Sequence, residues 1–122
     1  MSLQIKRVYE PKSEADGLRV LVDRLWPRGL TKEAAGIDLW LKDIAPSDGL
    51  RRWIHADMTQ WAEFRRRYLE ELASNPEAVE HLRRLAAKGK VTLLYGVKDP
   101  EQNHARILVE YMKPLLDGGQ DR

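Results

Sequence analysis

The sequence contains no cysteine, only a small excess of positive charge and no long hydrophobic run. Without cysteine, the chain can form neither a disulfide-stabilised scaffold nor a thiolate or persulfide active site. No apolar stretch approaches the roughly 18 residues of a membrane span, and the amino-terminal residues lack the hydrophobic segment of a secretion signal. We therefore expect a cytoplasmic protein that makes no membrane contact.

The remaining composition is that of one globular domain. A chain of 122 residues with 43% hydrophobic residues can bury a sizeable core. Lys and Arg number 21 and Asp and Glu number 19, which gives a net charge of +2. The whole chain is therefore not a polycation, although a local basic patch is possible. No repeat or linker divides the sequence, so we assign residues 1–122 to a single domain.

Three segments have the composition of β-strands. Residues 3–9 alternate in hydrophobicity, whereas residues 18–22 are nearly all apolar and residues 90–97 are apolar on both faces. Strands that are apolar on both faces are typical of a covered parallel sheet. We expect the second and third segments to be its central strands.

Helices are predicted between and after these strands. One should start at Asn75-Pro76 and stop at Gly89, and the aromatic stripe from Trp61 to Leu72 indicates another. A shorter helix should start at Pro46-Ser47, and a last one should have Asp99 as its N-cap. The order of elements predicts an α/β fold, a small three-layer αβα sandwich with a mostly parallel central sheet, Rossmann-like.

Charged residues follow both central strands, where ligands collect in open α/β sheets. If the strands are neighbours, Arg24, Arg28 and Lys98 meet near a helix N-terminus, which favours an anion. We therefore predict a pocket for a small ligand bearing phosphate or carboxylate. Asp23 or His104 would carry a proton and Tyr95 would donate a hydrogen bond. The further ligand contacts in this prediction are Trp26 and Asn103.

Structural roles compete with these assignments. Asp99 is explained by capping alone, and Asp23 could pair with a neighbouring arginine. Trp26 could serve packing, and an inward-facing histidine such as His104 is often a hydrogen-bonded structural residue. Whether the chain is an enzyme or a binding protein stays open.

Two other functional classes remain open. The arginine clusters at 51–52, 65–67 and 83–84 would suit a nucleic-acid-binding module. Glutamates interspersed among them favour solvated ion pairs instead, such as Glu63 with Arg67. Exposed tryptophans among Trp40, Trp53 and Trp61 would instead suit a protein-interaction surface. No phosphate-loop, dinucleotide, hydrolase or zinc motif occurs, so no cofactor or metal is indicated. The oligomeric state is not indicated either.

Three parts of the sequence have a pattern known from one protein family: residues 19–30, residues 40–47, and residues 91–99 with 103–105. In these parts the sequence resembles the YeaO-like branch of domain-of-unknown-function family 488. The resemblance covers nearly the whole chain and implies a small cytoplasmic α/β domain without a settled activity. A longer branch of that family carries cysteine near the position of Tyr95 and Cys-His-Arg in place of Asn103-His104-Ala105, so its thiol chemistry does not transfer here.

Overall fold

A computed structural model describes residues 3–118 and has an α/β architecture. Four strands form one sheet, and the helices lie between and after them, so the predicted fold class is confirmed. The strands are β1 (Leu3–Arg7), β2 (Leu18–Leu21), β3 (Leu39–Trp40) and β4 (Val91–Tyr95). The helices are α1 (Lys32–Ala35), α2 (Asp48–Ala56), α3 (Trp61–Ala73), α4 (Pro76–Lys88) and α5 (His104–Gly118).

All strand pairs are parallel, and the spatial order is β1–β4–β2–β3. β2 and β4 are therefore neighbours in the middle of the sheet, as the apolar composition of both segments predicted. Leu18 pairs with Val91 and Leu21 with Leu94, and Val22 N donates to Leu94 O at 3.0 Å beyond the paired residues. Their carboxyl ends lie side by side, which brings the two following loops together.

The two faces of the sheet are covered unequally. Val20 and Leu93 point into the main core, where residues of α2, α3, α4 and α5 pack on the sheet. On the opposite face, Leu21 and Leu94 pack against a thinner layer that contains Ala35 of the single-turn helix α1. The sandwich thus has one thick helical layer and one reduced layer.

Two predicted helix caps are wrong in detail. α4 starts after Asn75 as expected, but the Asn75 side chain donates to Asp43 O at 2.8 Å and caps no helical N–H. Asp99 Oδ1 accepts from the N–H groups of Glu101 and Gln102, yet those residues form a turn. α5 begins only at His104. The residue before it, Asn103, accepts the N–H of Arg106 on its Oδ1.

No helix in residues 3–118 combines the length and the hydrophobicity that crossing a membrane requires.

Candidate functional site

A cavity of about 530 Å³ opens at the carboxyl ends of β2 and β4, where the sequence predicts the site. We call it the strand-end cavity. Three segments and Tyr9, which follows β1, line it. The segments are 23–28 after β2, parts of 96–104 after β4, and parts of 46–64 from α2, α3 and their flanks. Seven of the eight predicted site residues line this cavity: Asp23, Arg24, Trp26, Arg28, Lys98, Asn103 and His104.

Asp23 and His104 come together at the point where β2, β4 and α5 meet. Asp23 Oδ2 accepts the N–H of Gly96 at 2.9 Å, and His104 Nε2 lies 3.3 Å from Asp23 Oδ1. The same Nε2 lies 2.8 Å from Val22 O. A carbonyl oxygen can only accept, so His104 must carry a proton on Nε2. Asp23 therefore pairs with a histidine, whereas the competing structural role had paired it with an arginine.

The surroundings of the Asp23 carboxyl group disfavour its charged form. Burial raises its pKa above the ordinary value, and the nearby His104, the Gly96 N–H and His55 offset only part of that rise. Within residues 3–118, Asp23 Oδ1 is fully buried and has no hydrogen-bond partner. Buried polar atoms without partners are uncommon in folded proteins, and this one belongs to a residue that lines the cavity. A neutral Asp23 would remove the desolvation cost of the charge.

Cationic side chains dominate the charge of the cavity. Arg24 Nε and Nη2 donate to Pro46 O and Ala45 O at 3.0 and 3.1 Å, and these bonds fix its guanidinium group. Arg28 and Lys98 are exposed. In the part of the chain that the structure describes, none of the three forms an ion pair with a carboxylate within 4.0 Å. These three cations are therefore not directly paired with a carboxylate, although Asp23 and Asp99 line the same cavity.

One more cation was not predicted from the sequence. Arg51 of α2 lines the cavity and pairs with Asp48 at 2.6 Å. Its Nε is the other fully buried side-chain N or O atom that finds no hydrogen-bond partner in residues 3–118. Both unpartnered atoms thus belong to residues of the strand-end cavity. The sequence assigned Arg51 to a solvated helix surface, because only the packing of α2 over the strand ends brings it here.

The cavity also has an apolar wall. Trp61 stacks on Phe64 with ring centroids 4.7 Å apart, and both rings come from α3. Trp26 donates its indole N–H to Leu30 O at 2.7 Å and meets Trp40 edge to face. Sequence periodicity assigned Trp61 and Phe64 to the core stripe of a helix, which does not distinguish a core position from a cavity wall.

Two predicted site residues, Tyr95 and Asn103, are not free to contact a ligand in the way that the sequence predicts. Tyr95 does not line the cavity; it is buried in the main core, and burial raises the pKa of its hydroxyl. Asn103 lines the cavity, but its side-chain N–H donates to Asp99 O and its oxygen accepts from Arg106 N. Both ends of the Asn103 amide are thus occupied in holding the start of α5.

The other tryptophans do not form one surface. Trp40 donates its indole N–H to Asp23 O at 2.7 Å, and the Arg67 guanidinium lies 4.4 Å from the centre of a Trp53 ring. Trp61 belongs to the cavity. In residues 3–118, no group of three or more His, Asp or Glu side chains is arranged to hold a metal ion.

Residues 2–122 match the family described as "Inactive DUF488-N3 subclade". An Escherichia coli (strain K12) protein named "Uncharacterized protein YeaO" is 44% identical over 115 residues, which cover 94% of this chain and 100% of that protein. "Uncharacterized protein Rv3073c" of Mycobacterium tuberculosis (strain ATCC 25618 / H37Rv) is 39% identical over 116 residues, covering 95% and 94% of the two chains. No solved structure gives a significant match. The matched subclade is the one described as inactive. The chain therefore belongs to the DUF488 family, as its resemblance to the YeaO-like branch predicted.

Proposed function

We propose that the strand-end cavity binds a small anionic ligand that carries a phosphate or carboxylate group. One observation carries this proposal: Arg24, Arg28 and Lys98 converge on the cavity without carboxylate partners among the described residues. Guanidinium groups bind planar or tetrahedral oxyanions through paired N–H donors. Arg24 uses two of its N–H groups on backbone carbonyls, which leaves others for a ligand.

The position of α5 supports the same proposal. His104, the first residue of this helix, lines the cavity, and the positive end of the helix dipole therefore faces the bound anion. The electrostatic contributions of the helix and the three cations have the same sign. Asp23 opposes them when it is ionised, and because its pKa is raised, it loses that charge at a higher pH than an exposed aspartate does.

The subclade description favours binding over catalysis. The matched subclade is described as inactive, and this chain has no cysteine that could act as a nucleophile. Asp23 and His104 are nevertheless the groups through which a bound ligand would exchange a proton, because they are 3.3 Å apart and both line the cavity.

The arginine clusters outside the cavity favour a nucleic-acid-binding module less. Arg66 and Arg67 pair with Glu63, Arg83 pairs with Glu80, and Arg65 pairs with Glu110 of α5. Exposed pairs of this kind neutralise the helix surface.

Thermal denaturation with inorganic phosphate, a phosphorylated metabolite and a carboxylate tests the proposal. Ligand at about 100 times its Kd stabilises the folded state by about 2.7 kcal/mol, which should raise the Tm by several degrees. The Arg28→Ala variant should lose most of that shift, because the exposed side chain supports no packing. Arg83→Ala is the matched control, since it removes an exposed arginine that is paired with Glu80.

The expected result is a Tm shift in wild type and Arg83→Ala that Arg28→Ala lacks. If no anion raises the Tm, or if both variants respond alike, the strand-end cavity is not an anion site.

A further inference from the structure

Exposed hydrophobic side chains concentrate at the strand-end cavity. Residues 3–118 contain five large hydrophobic side chains that are exposed: Tyr9, Leu25, Trp40, Met58 and Leu115. Tyr9, Leu25 and Met58 all line the cavity, with exposures of 42%, 55% and 40%. Clustered exposed apolar groups mark binding sites more often than scattered ones do.

The apolar surface continues inward from this rim. Trp61, which stacks on Phe64, and the buried Ile54 line the same cavity. The aromatic side chains of this wall add apolar area against which a planar ring can pack. A bare inorganic anion would leave this surface in contact with water.

The charged and apolar surfaces belong to one space. Arg28 and Lys98 line the same cavity as Met58 and Trp61, and its volume of about 530 Å³ lies in the range of small-molecule sites. We infer that the ligand is an aromatic anion, in which a ring carries a phosphate or carboxylate group. The ring would lie against the apolar wall while the anionic group is bound by the cations. This inference rests on the proposed function and specifies the chemical class of its ligand.

The binding affinities of four probes test this inference. The probes are inorganic phosphate, phenyl phosphate, phenylacetate and uncharged benzyl alcohol, titrated by calorimetry and by tryptophan fluorescence. Phenyl phosphate should bind about tenfold or more tightly than inorganic phosphate, because the ring buries apolar surface that phosphate lacks. Benzyl alcohol should bind more weakly than either aromatic anion. The ratio of phenyl phosphate to phenylacetate affinity identifies the preferred anionic group.

Two variants separate the apolar from the charged contribution. Met58→Ser removes an exposed hydrophobic group from the cavity, and Leu115→Ser removes one of nearly equal exposure, 41%, from α5 outside it. Met58→Ser should weaken phenyl phosphate binding severalfold and leave inorganic phosphate binding unchanged. Leu115→Ser should change neither affinity.

Equal wild-type affinities for phenyl phosphate and inorganic phosphate would overturn the aromatic assignment while leaving the anion site standing. Equal effects of Met58→Ser and Leu115→Ser on phenyl phosphate binding would overturn it as well. Failure of every anionic probe to bind would instead refute the proposed function itself.

Discussion

At the scale of single residues, the strand-end cavity combines three cations that have no carboxylate partner in residues 3–118 with two carboxyl groups, those of the partly buried Asp23 and the exposed Asp99. Asp23 repels a bound anion when ionised and stops repelling it when protonated. Burial raises the pKa of Asp23, so protonation begins at a higher pH than for an exposed aspartate. Anion binding should therefore strengthen as the pH falls.

Asp23→Asn should bind phosphate at least about threefold more tightly than wild type at neutral pH. Two unit charges about 6 Å apart repel by about 0.7 kcal/mol even at the dielectric constant of water, and the variant removes that repulsion. The asparagine oxygen can still accept the Gly96 N–H, so the loop after β4 keeps its contact. Calorimetric titration measures the affinity, with Asp117→Asn of the exposed end of α5 as control. Weaker binding by Asp23→Asn than by Asp117→Asn would show that Asp23 contacts the ligand as an acceptor.

Asp23→Asn should also change how the free energy of unfolding depends on pH. A carboxyl group with a raised pKa contributes stability below its unfolded pKa and loses that contribution as the pH rises through its folded pKa. Wild type should therefore lose stability relative to Asp23→Asn as the pH rises from about 4 toward neutral. Urea midpoints at several pH values measure the difference.

The cavity residues that the sequence revealed are those that follow a strand directly. Asp23, Arg24 and Arg28 come after β2 and Lys98 after β4, so the adjacency of two parallel strands was enough to bring them together. The wall supplied by Trp61 and Phe64 could not be separated from a core stripe, because helical spacing is the same in both cases. Which helix covers the strand ends is decided by tertiary packing.

At the scale of secondary-structure elements, a buried ion-pair cluster joins β1 to β2 through the turn at residues 14–16. Asp16 is only 2% exposed and lies 3.0 Å from Lys6 Nζ of β1 and 2.6 Å from Arg19 Nη1 of β2. Burial alone would raise the pKa of Asp16, but hydrogen bonds from Ser13 N, Lys6 and Arg19 lower it to about 2. Arg19 is fully buried, and this carboxylate is its counter-charge.

Asp16→Asn should destabilise the fold by about 3–5 kcal/mol at neutral pH, because it leaves the buried Arg19 guanidinium without a negative charge. Since the folded pKa of Asp16 is lowered, its contribution is present above pH 4 and disappears as the pH falls toward 2. Denaturant unfolding at neutral pH and near pH 3 measures both effects. The variant should lose part of the acid sensitivity of wild type.

Glu63→Gln is the matched control for this prediction. The pKa of Glu63 also lies at about 2, lowered chiefly by hydrogen bonds from Arg66 and Arg67, but this pair is on the solvent-facing surface of α3. Water screens such pairs, so the substitution should move the urea midpoint far less. Equal shifts for Asp16→Asn and Glu63→Gln would show that burial does not set the strength of the Asp16 cluster.

Sequence signals located most elements and failed at one helix start, that of α5. The apolar segments and the Pro76 and Gly89 boundaries fixed β2, β4 and α4 within a few residues. Asp99-Pro100 has the pattern of a helix start, but its side chain caps a turn and α5 begins at His104. The Asx-turn and the helix N-cap use the same side-chain contact, so local sequence does not distinguish them.

At the scale of the whole molecule, the distribution of charge matters more than its total. The net charge is only +2, and the arginine clusters on α2, α3 and α4 include ion pairs with Asp48, Glu63 and Glu80. The cations Arg24, Arg28 and Lys98, which form no ion pair with a carboxylate among residues 3–118, instead line one cavity. A polyanion needs a continuous basic track, whereas a small anion needs a single point of convergence.

This distribution predicts how salt will affect binding. Binding of phenyl phosphate should weaken only modestly between about 50 and 200 mM salt, because one anionic group engages a few cations, whereas a module with 6–10 phosphate contacts loses roughly 10³–10⁵ in affinity. An oligonucleotide of about 12 nucleotides should not displace phenyl phosphate at about 0.15 M salt. Arg66→Ala and Arg83→Ala should leave these results unchanged, since both side chains are ion-paired on the outer helix surfaces. Steeply salt-dependent oligonucleotide binding that Arg66→Ala abolishes and Arg28→Ala preserves would assign the function to the arginine clusters instead.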